Sequence, residues 1–145
     1  MQKSKVSYIL VIVQLSSILI LAFTGPVIPE DTVLLVIELL FAGFGIWAMS
    51  VHKFRFSVLP EPKKDTRLVK TGPYRIVRHP MYSSLIFITL VWLMNFFTLF
   101  RFIIWLLLIS ALFFKASIEE KLLLSMHPGY ASLPGKTKKF IPFLY

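Results

Sequence analysis

The chain of 145 residues contains no cysteine, which excludes disulfides, thiolate metal sites and a cysteine nucleophile. Acidic residues are scarce: seven Asp and Glu stand against sixteen Lys and Arg, for a net charge of +9. Only three histidines are present, and His52, His79 and His127 lie too far apart for metal-ligand spacing, so no metal is expected. Charged residues make up just 16% of the chain, and no Gly-rich dinucleotide fingerprint interrupts it. Neither an internal repeat nor a low-complexity tract is visible.

What remains is apolar. The chain is 57% hydrophobic, with a mean hydropathy of +0.76. A soluble core of this size cannot enclose so many Leu, Ile, Val and Phe residues, which implies an integral membrane protein. Lys and Arg flank the apolar runs instead of forming one face. That placement suits bilayer orientation and anionic lipid headgroups better than nucleic acid. Membrane lipids are therefore expected partners and nucleic acid is not.

Four runs, at about residues 6–23, 33–51, 83–97 and 102–116, are continuously apolar rather than alternating, which predicts helices and not strands. Each helix would measure roughly 22 to 29 Å, enough for a thin or locally adapted bilayer. The first run follows Lys3 and Lys5 as a secretory signal would. It lacks a good small-x-small cleavage site and three further spans follow, so it reads as a retained helix. Gly25-Pro26 and Pro29 end it, and Glu30-Asp31 occupy the short turn to the second helix.

Basic residues precede the first run, fill the loop from Lys53 to Arg78, and follow the fourth run from Lys115 to Lys139. Only Arg101 falls on the other side, in the tight turn between the third and fourth helices. The positive-inside rule then places both termini and the long loop in the cytoplasm, and the expected location is a prokaryotic inner (plasma) membrane. The predicted fold is one all-α membrane domain over residues 1–145: four transmembrane helices, a cytoplasmic loop and a C-terminal helical extension that build one pocket.

Two polar clusters face that side. Thr71-Gly72-Pro73 is a turn signal, after which Tyr74, Arg75, Arg78, His79 and Tyr82 supply two cations, a titratable ring and two aromatic hydroxyls. Arg grips carboxylates in bidentate fashion, and a Tyr face stabilises a cation. His79-Pro80 breaks the segment just before the third helix, with Pro near its first turn. Glu119-Glu120 forms the second cluster, on a helix continuing past Lys115 without a breaker. A plainer reading makes the loop an anionic-lipid anchor and Glu119 a solvated partner of Lys115. The alternative is a pocket in which two carboxylates hold an ammonium or a ribose. Glu38, the only acid within a span, shares a helical face with Ala42, Gly45 and Met49, which suits close packing. The tail from Lys136 to Tyr145 mixes cations with aromatics and reads as a second interfacial anchor.

Together the string from Leu68 through Gly72-Pro73-Tyr74-Arg75, Arg78-His79-Pro80-Met81-Tyr82, then Glu119-Glu120 and Lys139-Phe140-Ile141-Pro142-Phe143, resembles the isoprenylcysteine carboxyl methyltransferase and phospholipid methyltransferase family. The resemblance covers about residues 68–145; the first two helices match only in being hydrophobic. It implies an integral membrane methyltransferase using S-adenosylmethionine, with cofactor contacts at Tyr74, Arg75, Arg78, His79, Pro80, Tyr82, Glu119 and Glu120. Ser84, Leu133 and Lys139 depart from the family pattern, standing where Gly, Tyr and Arg are usual. Methyl transfer from a sulfonium needs no metal; a carboxylate or thiolate acceptor needs little base help. An amine must lose a proton, for which His79, Glu119 and Glu120 are the candidates. The acceptor expected is a lipophilic small molecule or lipid entering sideways from the bilayer. Two other readings stand beside this one: a nicotinamide-dependent reductase related to sterol reductases, and a non-catalytic lipid-binding subunit.

Overall fold

The computed structural model describes residues 5–51, 59–60, 71–126 and 138–140. They form four helices, α1 (Lys5–Phe23), α2 (Thr32–Val51), α3 (Pro80–Asn95) and α4 (Leu99–Met126), with a single 3-10 turn at Gly72–Arg75 before α3. The long-loop residues 52–58 and 61–70, and with them His52, lie outside the described residues, as do His127, Leu133 and most of the tail.

Continuous apolar runs made the helices, and polar side chains set their ends. Asp31 caps α2, its Oδ1 accepting from Leu34 N at 2.9 Å. Thr98 caps α4, its Oγ1 accepting from Arg101 N at 3.2 Å. The fourth helix therefore begins at Leu99 rather than about residue 102, and the connecting turn holds no Arg. The third begins earlier than its apolar run, because Pro80 fits the first helical position, where its missing N–H is no loss. With 28 residues α4 is about 42 Å long, more than a hydrocarbon core of roughly 30 Å needs. Its apolar part ends at Phe114, and the last turns carry Lys115, Glu119, Glu120 and Lys121.

The helices alternate in direction. α2 lies along α3 and α1 along α4, while α1 and α4 also touch α3. Between α2 and α3, Phe41 and Phe87 stack with centroids 4.2 Å apart, and Ser84 Oγ donates to Phe41 O at 2.6 Å. An added Cβ on Gly45 would sit 2.5 Å from Ser84 Oγ, so the small residue permits this approach. Glu38 joins the same two helices: its Oε1 accepts from the Trp92 indole at 2.8 Å. A core of Leu21, Leu108 and Leu112, walled by Tyr82, Leu85 and Trp105, joins α1, α3 and α4.

Many large apolar side chains outside this core face outward. Ile12, Val33, Leu40, Phe100 and many others are exposed, a loss of about 1.5–3 kcal/mol each in water but not in lipid. Three helices, α1, α2 and α4, are long and apolar enough to cross a membrane, and α3 is a shorter apolar helix of 16 residues. The protein is all-helical and integral to the membrane.

Arg101 belongs to the first turn of α4 and is buried, contrary to its expected place in the turn. Its Nη2 donates to Trp92 O at 2.7 Å in the last turns of α3. Its guanidinium also fills the space beside Gly25, just past the end of α1, where an added Cβ would lie 1.8 Å from Nη1. The cation thus sits at the carboxyl ends of two helices, where their dipoles favour it.

Candidate functional site

At the opposite end of the bundle, Gly72 opens the 3-10 turn with φ of 60°, a left-handed conformation that Gly adopts without strain. An added Cβ there would also press on Val51 Cγ2 at 3.0 Å, so this glycine lets the turn lie against α2. Ile76 N and Val77 N both return to Pro73 O, at 3.0 and 3.2 Å. The buried Val77 then forms a parallel bridge with Lys138, and Arg78 N and His79 N donate to Lys138 O and Lys139 O at 2.8 and 3.1 Å. Ser83 Oγ adds a bond to Phe140 O at 2.6 Å. The described tail residues are therefore stitched to the loop motif rather than lying apart as an anchor.

This stitching brings the two polar clusters together. Oε1 of Glu120 lies 2.8 Å from Arg78 Nε and 3.1 Å from His79 Nε2, and its Oε2 is 3.5 Å from Lys139 Nζ. Glu119 Oε2 accepts from the Tyr82 hydroxyl at 3.3 Å and lies 3.6 Å from His79 Nδ1. The buried His79 ring is thus bracketed by both carboxylates. It stacks on Tyr82 with centroids 5.4 Å apart and an interplanar angle of 7°, and Phe140 tilts against both rings.

The two carboxylates differ. Burial works against ionisation of Glu120, but hydrogen bonds and charge from His79 and Arg78 outweigh it and hold the carboxyl at about 2. The Glu120 side chain is 17% exposed and Glu119 is 32% exposed. Glu119 engages the described residues through one oxygen only. Burial, then the charge of Glu119, pushes the Tyr74 phenol well above its ordinary range and keeps it protonated.

Of the eight residues expected here, Arg78, His79, Tyr82, Glu119 and Glu120 form one connected cluster. Pro80 is buried beneath it as the first residue of α3, and half-buried Tyr74 faces Glu119 closely enough to feel its charge. Arg75 is exposed at the end of the 3-10 turn and takes no part in the described cluster. Sequence reasoning missed the roles of Ser83, Ser117 and Lys139. The buried Lys139 ammonium reaches Ser117 Oγ at 3.0 Å and lies over the Phe113 ring, so the Lys that replaces a usual Arg neutralises Glu120. Lys115 is no solvated partner of Glu119: it is buried, donates to Gln14 Oε1 of α1, and sits 5.4 Å from the Tyr82 ring centroid.

No curated protein matches the chain. A model of the isoprenylcysteine carboxyl methyltransferase family matches residues 32–125, well over half of the chain. The match takes in α2, which the motif reading treated as merely hydrophobic, and nearly all of α4; α1 and the tail lie outside it. A membrane methyltransferase, in general terms, is the class this match supports, and the chain belongs to the isoprenylcysteine carboxyl methyltransferase family.

Proposed function

We propose that this chain transfers a methyl group from S-adenosylmethionine to a lipophilic acceptor that reaches the site from the bilayer. The observation that carries the reading is the convergence of His79, Tyr82, Glu119 and Glu120 at one end of the bundle, beside a family match that spans them.

The donor set fits that cofactor. It carries a sulfonium and an ammonium, which suit a carboxylate with a spare oxygen and the faces of Tyr82, His79 and Phe140. Bound, it supplies a methyl group activated by the positive sulfur. Glu119 would hold the cationic end, since it is the more exposed carboxylate and bonds through one oxygen. Glu120 is engaged on both oxygens and would fix the orientation of His79. Where the acceptor is an amine, Glu119 or His79 would take its proton. Arg75 and Tyr74 would line the approach.

Two features support a lipidic acceptor, whether carboxylate, thiol or amine. The cluster adjoins the first turn of α3, so the reacting atoms would sit at the membrane boundary. Tyr82 also belongs to the shell of the core shared by α1, α3 and α4. Both polar clusters would face the cytoplasm, as the basic residues indicate.

Equilibrium binding to purified protein in detergent tests the reading. Saturable binding of S-adenosylmethionine and its demethylated product, weakened by Glu119→Gln, is expected. Binding of NADPH in their place would favour a reductase and overturn the proposal.

A further inference from the structure

Lys115 is 1% exposed, yet no carboxylate lies within 4.0 Å of its ammonium among the described residues. An ammonium taken out of water is costly unless something compensates it. Two neighbours do so here. Gln14 of α1 accepts a hydrogen bond from it, and the Tyr82 ring lies 5.4 Å away at cation–π range. Gln14 stands ten residues into an apolar helix, where a polar side chain facing other helices has a specific task. Tyr82 in turn donates to Glu119 at 3.3 Å and stacks on His79.

We propose that Gln14 and Lys115 are positioning residues of the methyl-transfer site: α1 holds the Lys115 ammonium against Tyr82, and Tyr82 so held keeps Glu119 oriented for its cationic ligand. This inference rests on the cofactor reading above. It makes α1 part of the site although that helix lies outside the family match. The chain of contacts runs from Gln14 through Lys115 and Tyr82 to Glu119, linking three helices by side chains alone.

Five proteins test this: the unsubstituted chain, Gln14→Leu, Lys115→Met, the double variant, and Gln14→Glu as the conservative replacement. Affinity for the demethylated product of S-adenosylmethionine is measured by calorimetry, and thermal stability is followed without ligand. Gln14→Leu and Lys115→Met should each weaken binding about tenfold, and the double variant no further, the non-additivity expected of residues acting as one unit. Gln14→Glu, which keeps an acceptor for the ammonium, should restore affinity to within about twofold. Unchanged affinity in Gln14→Leu, or losses in Gln14→Glu that equal those in Gln14→Leu, would overturn the positioning role. An unsubstituted protein that binds no such ligand would instead overturn the cofactor reading, and this inference with it.

Discussion

Arg78 Nε donates to Glu120 Oε1 across 2.8 Å, closing a separation of 42 residues in sequence. Both side chains are mostly buried, at 12% and 17% exposure, so each charge is largely withdrawn from water. His79 and Lys139 approach the same carboxylate. Glu120 is therefore the fastening between the loop motif, the tail and α4, while its neighbour Glu119 bonds to the described residues through one oxygen.

The two carboxylates should separate on substitution. Glu120→Gln removes the carboxylate charge that Arg78 and Lys139 share and should cost about 3 kcal/mol of stability. Glu119→Gln should change stability by less than about 1 kcal/mol, because that carboxylate is partly solvated. Its cofactor affinity should nonetheless fall about tenfold, as expected for loss of a charged hydrogen bond. Thermal unfolding in detergent and ligand titration read the two effects. Equal destabilisation by both variants would refute the division of labour.

Acidification should reveal the same carboxylate. Folding lowers the Glu120 carboxyl from 4.5 to about 2, so as pH falls the unfolded chain binds that proton first. The stabilisation is complete above about pH 4.5 and is lost as pH falls toward about 2. Unfolding midpoints followed over that window should decline, and Glu120→Gln should flatten the decline. An unaltered slope in the variant would contradict the assignment.

At the far end of the bundle, Gly25→Ala should destabilise the protein by about 1–3 kcal/mol, the usual cost of overpacking. The added methyl would meet the Arg101 guanidinium that joins the ends of α1 and α3. Cofactor affinity of the folded variant should match that of the unsubstituted chain, because the site lies at the other end. A variant with unchanged stability would mean that Arg101 is not held there.

Much of this architecture was legible in the sequence. Continuous apolar runs announced the helices, and Pro80 marked the start of α3 because its ring suits a first helical turn. The meeting of His79 with Glu119-Glu120 was one of two readings left open by two polar clusters at one end of an alternating bundle, and the contacts of both carboxylates with His79 decide for it. Arg101 was misplaced because charge alone was weighed; Thr98 capping and the space left by Gly25 draw it into α4. Gln14, Ser83 and Ser117 carried no local signal, and Lys139 stood in a recognisable motif that did not show its partners. Their roles come from which faces of α1, α3 and α4 meet and from where the tail docks, and a linear chain does not display these. Lys115 misled for the same reason, since Glu119 one turn away offered a simpler partner than Gln14 on another helix.

Orientation in the bilayer is open to a direct check. Reporter fusions after Val27 and after Thr98 should both score as external if, as the positive-inside rule expects, the site end is cytoplasmic. A cytoplasmic score at either position would reverse the orientation.

The central claim is that the cluster around His79 and Glu119 serves methyl transfer to a lipophilic acceptor. Purified protein incubated with methyl-labelled S-adenosylmethionine and a host lipid extract measures this most directly. Label should appear in an organic-soluble product, and Glu119→Gln should abolish most of it. Label confined to a small hydrophilic acceptor, or transfer that survives Glu119→Gln undiminished, would contradict the account.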